Sequence, residues 1–123
     1  MNTKLSLGQH LILDLYTEIN NYKLINVQHT MLQLKQMIED SGLTILGNKY
    51  HHFGDGFGFT GVIILSESHF SIHTWPEHGF AAIDLFACGN HDIINIGNKF
   101  IEYFEAVSSS SQLIERGNIL THE

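Results

Sequence analysis

Apolar and polar residues alternate from Gly8 to Tyr16, with Leu11, Leu13 and Leu15 on one face, the period-two pattern of a strand with one side buried. The period changes at about residue 21. Leu24, Val27, Met31, Leu34 and Ile38 follow in steps of three and four, which makes one apolar stripe and predicts a helix over about 21–41. Gly42 stands where a C′ glycine would end that helix. Leu43 to Phe53 reads as a strand running into the glycine-rich stretch Gly54-Asp55-Gly56-Phe57-Gly58. Thr60 to Ser66 is β-branched and apolar, the pattern of a buried strand. From His69 to Trp75 alternation returns: Phe70, Ile72 and Thr74 face one way, and His69, Ser71, His73 and Trp75 the other. Pro76 stops that strand, and Gly79 to Ala87 forms the next. A second helix is expected over about 92–107, with Ile93, Ile96, Phe100, Phe104 and Val107 on its stripe. Ser108 to Gln112 reads as a loop, and Gln112 to Leu120 as a last strand. The order β-α-β-β-β-β-α-β predicts an α+β two-layer sandwich, an antiparallel sheet with two helices packed on one face.

Size and charge narrow the function. The 123 residues suit a single domain, 1–123, and the 43% apolar content suits a packed core. No unbroken apolar run exceeds four residues, Val62 to Leu65 among them, which is far too short to span a bilayer, and the N-terminus has no apolar signal region. A cytoplasmic protein without a membrane partner is the expectation. The net charge of −7 and the single arginine, Arg116, argue against nucleic acid. One cysteine, Cys88, excludes an internal disulfide framework and a cysteine-based zinc site. Nine histidines invite a metal reading through His51, His52, His69, His73 and His78, yet their spacing matches no tight metal motif, and no metal is expected.

Chemistry concentrates between Glu67 and Glu77, with Cys88 twenty residues after Ser68. Ser68 lies at a break between two apolar strands, where a turn can present its hydroxyl. If residues 69–75 and 79–87 pair as a hairpin, Ser68, His73 and Cys88 meet at one end of the sheet, as nucleophile, base and proton donor. The plain alternatives are a structural turn serine, a polar-face histidine and a small buried cysteine.

The stretch Ser-Glu-Ser-His-Phe-Ser-Ile-His-Thr-Trp-Pro-Glu-His-Gly-Phe-Ala-Ala-Ile-Asp-Leu-Phe-Ala-Cys-Gly (66–89) resembles the core of the prokaryotic S-adenosylmethionine decarboxylase proenzymes. The similarity extends to Ser6-Leu7-Gly8-Gln9-His10-Leu11 and covers most of residues 5–107. The resemblance implies self-cleavage between Glu67 and Ser68, into a β chain of residues 1–67 and an α chain of 68–123. The α chain would begin with a pyruvoyl group made from Ser68, the covalent cofactor that condenses with the substrate amine. His73 matches the histidine that takes the serine α-proton, and Cys88 the donor that protonates the product carbon. Thr60 stands where the family usually has a serine that assists processing. Phe53 matches an aromatic that stacks on adenine, and Glu77 an acid near the ribose, with Trp75 beside it. The implied reaction converts S-adenosylmethionine to its decarboxylated form, the aminopropyl donor of spermidine biosynthesis, at a site built at a homodimer interface.

The chain departs from the family in the glycine loop before Thr60, where a proline is usual, and at Ala87, where threonine is common. These departures keep an arginine or ornithine decarboxylase on the same scaffold as an alternative. A non-processing homologue that acts as a binding partner is another.

Overall fold

The structure is a computed structural model and describes residues 2–122. Its elements run β1 (Asn2–Tyr16), α1 (Val27–Asp40), β2 (Ile45–His52), β3 (Phe59–Leu65), β4 (Ser68–Trp75), β5 (Phe80–Cys88), α2 (Ile93–Tyr103) and β6 (Ser108–His122). The six strands form one antiparallel sheet in the order β2-β3-β4-β5-β1-β6, with both helices on one face. This is the expected α+β sandwich. No helix among the described residues is long and apolar enough to cross a membrane.

Alternation sorts the strand side chains between two layers. Leu11, Leu13 and Leu15 of β1, Phe70 and Ile72 of β4, and Ala81, Ile83 and Leu85 of β5 are buried beneath the helices. All five stripe residues of the first helical segment join them. That segment is not one helix. The Asn21 side chain accepts from Lys23 N–H and caps a short 3-10 turn, Tyr22–Leu24. The Asn26 side chain then accepts from His29 N–H and starts α1. Two separate caps divide what the stripe alone presents as continuous. At the other end Gly42 adopts φ +91°, its N–H meets Glu39 O, and Leu43 N–H meets Ile38 O. This is the doubly bonded C-terminal turn that glycine permits.

Three further expectations change. β3 is buried on one side only: Phe59, Ile63 and Leu65 face the helices, while Val62 and Ile64 lie exposed on the other face. α2 stops at Tyr103, and Glu105 takes a left-handed φ of +55° that turns the chain. Val107 therefore leaves the stripe, is exposed, and gives its N–H to Tyr16 O. Ser108 to Gln112 is strand rather than loop, paired residue by residue with Tyr16 to Ile12. An edge strand needs backbone pairing more than apolar side chains, so a serine run serves.

The core centres on Phe59, Phe70, Phe100 and Phe104, with the Phe70 and Phe100 rings 5.3 Å apart. Truncating Phe100 opens a cavity between α2 and the sheet. In an uncut chain, Phe100→Ala should lower unfolding free energy by about 3–5 kcal/mol, read from the urea midpoint at constant slope.

Candidate active site

The sheet face opposite the helices carries the candidate chemistry. Strand register places side chains in rows across it. Thr60, His73 and Ala82 share one row, and Ser71, Asp84 and Ile12 the next. Farther along come His69, Phe86 and His10, and the row at the rim joins Cys88, Gly8 and Arg116.

At that rim the turn between β3 and β4 presents the Glu67–Ser68 peptide. The Glu67 carbonyl oxygen accepts two hydrogen bonds from one residue, Cys88 N–H at 3.1 Å and Cys88 Sγ at 3.1 Å. The thiol is exposed. The Glu67 side chain is held as well: Thr44 N–H donates to Oε1 at 3.0 Å. That bond keeps the carboxyl below the ordinary glutamate range, and the His91 imidazole adds to the effect. Ser66 N–H also meets Thr44 O, at 2.9 Å. The peptide is thus fixed from both sides, with donors aimed at the carbonyl where negative charge would grow on nucleophilic attack.

His73 does not join this end. Ser68 pairs with Ala87 and His73 with Ala82, so five residues of strand, about 16 Å, separate them. Alternation also puts Ser68 on the helix side with Phe70 and Ile72, and His73 on the open face. The hairpin does form, and it brings the Glu67–Ser68 peptide to Cys88 but leaves His73 away from both. The imidazole instead meets the other processing candidate: Thr60 Oγ1 and His73 Nδ1 lie 2.9 Å apart across the β3–β4 pair.

Around His73 runs a band of rings. His51 packs on Phe53 at 5.0 Å, Phe53 on His73 at 5.7 Å, and His73 stacks on Trp75 at 4.0 Å. Trp75 continues to Phe80 at 5.3 Å, and Phe80 to Tyr16 at 5.2 Å. Tyr16, Trp75, His78 and Phe80 line an open recess of about 310 Å³. Glu77 follows Trp75 in the short 3-10 turn Pro76–His78 and is exposed. The glycine loop closes on itself through Phe53 N–H to Gly58 O and Phe57 N–H to Gly54 O, both 3.0 Å, which sets Phe53 against His73. Cation–π attraction makes such a band a suitable wall for a positively charged, partly aromatic ligand.

Sequence reasoning missed two features. Tyr16 and Phe80 extend the ring band, a result that alternation beyond Leu15 and before Ala81 contains. His10 Nε2 and Asp84 Oδ1 pair at 3.0 Å in mid-sheet, with Ser71 Oγ 3.5 Å from Asp84 Oδ2. That contact joins residues 74 positions apart and has no local signal. Among the described residues no three His, Cys, Asp or Glu side chains converge to hold a metal ion.

Residues 9–117 match the family model described as S-adenosylmethionine decarboxylase. An S-adenosylmethionine decarboxylase proenzyme of Thermotoga petrophila is 49% identical over 84 residues, which cover 68% of this chain and 63% of that protein. The chain thus spans somewhat under two thirds of that relative's length. A proenzyme of the same name from Persephonella marina is 36% identical over 119 residues, covering 96% of this chain and 88% of the other. The crystal structure of the adenosylmethionine decarboxylase from Aquifex aeolicus superposes with a TM-score of 0.79 at 34% identity, over 91% of this chain and 92% of that one.

Proposed function

We propose, since the chain belongs to the S-adenosylmethionine decarboxylase family, that it is a proenzyme which cuts itself between Glu67 and Ser68 and then decarboxylates S-adenosylmethionine. The observation that carries this is the double hydrogen bond from Cys88 to the Glu67 carbonyl. A carbonyl polarised in this way is prepared for attack by the neighbouring Ser68 hydroxyl. The Glu67–Ser68 amide then becomes an ester on the serine oxygen. A base removes the Ser68 α-proton, the Cβ–O bond breaks, and Glu67 departs as a carboxylate. Water replaces the freed enamine nitrogen, ammonia leaves, and residue 68 becomes a pyruvoyl group.

That group supplies the electron sink for the charge left when CO₂ departs. A serine at the first position of β4, with its peptide carbonyl held and a thiol at hand, fits such a group. In this reading the Cys88 thiol returns a proton to the product carbon, and the ring band receives the sulfonium and adenine.

The base belongs to a second copy. Within one chain His73 lies too far from Ser68, on the opposite face. Ser68 Cβ turns to the helix side, which leaves the other side of its α-carbon uncovered. Two sheets docked by that face about a twofold axis near Ser71 would bring the partner's His73 to it, steered by the partner's Thr60. Val62, Ile64, Tyr16 and Ile114 are exposed on this uncovered face, as an interface requires. The substrate site is then shared: Phe53, Trp75 and Glu77 come from one protomer, and residue 68 with Cys88 from the other.

Denaturing mass spectrometry of the purified protein should show chains 1–67 and 68–123, the latter carrying a pyruvoyl N-terminus. Release of ¹⁴CO₂ should be rapid from S-adenosylmethionine and at background from arginine and ornithine. One uncut mass, or faster turnover of either amino acid, would overturn this reading.

A further inference from the structure

The inference here rests on self-cleavage as just described. We propose that the cut itself arms the proton donor: the new α-carboxylate of Glu67 stays on Cys88 and holds the thiol in its protonated form.

Atom accounting gives the new group its place. The elimination moves the Ser68 oxygen onto Glu67, so the carboxylate consists of the former carbonyl oxygen and the former serine oxygen. The amide nitrogen leaves as ammonia, and residue 68 keeps no ionisable terminus. The cut therefore adds one negative charge and no lasting positive one. Before the cut that carbonyl oxygen sits 3.1 Å from both Cys88 Sγ and Cys88 N.

The new chain end is tethered where it forms. Thr44 N–H holds the Glu67 side chain, Ser66 N–H meets Thr44 O, and Ile63 and Ile64 remain paired in the sheet. An anion fixed beside a thiol opposes its ionisation and accepts its S–H, so both effects favour the protonated form. The other titratable groups near this rim are His69 of β4, His10 of β1, Arg116 of β6, and His91 and Asp92 after β5, a set that holds one standing cation, Arg116, and one carboxylate, Asp92. A donor that must give a proton once per turnover at neutral pH needs to remain a thiol between turnovers. Cleavage supplies that condition at the moment the enzyme matures.

Cys88 is the sole cysteine, so alkylation by iodoacetamide reads this thiol alone. The pH midpoint of the alkylation rate is compared in cleaved wild-type protein, uncleaved Ser68→Ala, and cleaved Glu67→Gln. A midpoint, unlike a rate, does not move with steric access. It should lie at least about one pH unit higher in cleaved wild type than in Ser68→Ala. Glu67→Gln, which keeps the α-carboxylate, should retain the rise. Freshly made wild type followed through its own cleavage gives the same comparison without a substitution. Equal midpoints before and after the cut would overturn the proposal, and so would loss of the rise in Glu67→Gln. A wild-type chain that never cleaves would instead count against the proenzyme reading.

Discussion

Ser68→Ala should leave a single chain of 13.9 kDa and no measurable decarboxylation, a loss of at least about 10⁴-fold. The substitution removes the hydroxyl that attacks the Glu67 carbonyl in the proposed mechanism, so the pyruvoyl group would not form. The fold should be untouched. Ser68 begins β4 and is held there by backbone pairing to Ala87, which alanine preserves. Its side chain has a half-buried position and adds little packing. Circular dichroism and thermal midpoint should therefore match an uncut wild-type chain while the ketone-specific hydrazine adduct disappears. Full turnover by this variant would defeat the mechanism.

The second large effect is a rescue. His73→Ala alone should remain uncut, since no base reaches the Ser68 α-proton. Ser68→Ala alone should remain uncut for want of a nucleophile. Mixed as unfolded chains and refolded together, the two should restore cleavage in the mixed dimer. There the Ser68 of the His73→Ala chain meets the intact His73 of the Ser68→Ala chain. With random pairing roughly half of the His73→Ala chains find such a partner and should be cut. A mass spectrum distinguishes the cut chain by its sequence. No cleavage in the refolded mixture, with each parent folding normally, would show that the two residues do not act across an interface. The prediction comes from strand parity: residues 68 and 73 fall on opposite faces of one strand, and about 16 Å is beyond any side-chain adjustment.

Local pattern revealed most of the fold. Alternation in β1, β4 and β5 and the helical stripes each state which side is buried, and the structure agrees residue by residue except at Val107. The errors fell where the backbone decides without help from apolar side chains. Ser108 to Gln112 pairs with β1 at a sheet edge, and the break between residues 24 and 27 depends on which asparagine accepts which N–H. The site was visible as a set of residue types, because Ser68, His73 and Cys88 stand in a motif. Their arrangement was not. Adjacency in a hairpin suggested one cluster, whereas register and face divide them between the rim at Cys88 and a ring-lined end around His73. The His10–Asp84 pair, and Cys88 gripping the Glu67 carbonyl, join distant segments and emerge only from the assembled sheet.

The strand order has a further consequence. β1 belongs to residues 1–67 yet lies between β5 and β6, which belong to residues 68–123. A cut at Glu67 therefore leaves two chains whose strands interleave, and neither can depart without dissolving the sheet. Native, the molecule is as cohesive as before. Unfolded, it is different: the two pieces diffuse apart, and refolding becomes a bimolecular encounter whose yield depends on concentration. The covalent connection that guided assembly is spent on the first pass. The proposed cut would turn the chain into an object assembled once. Its working lifetime is then set by the rate at which the sheet first opens rather than by the balance between folded and unfolded forms.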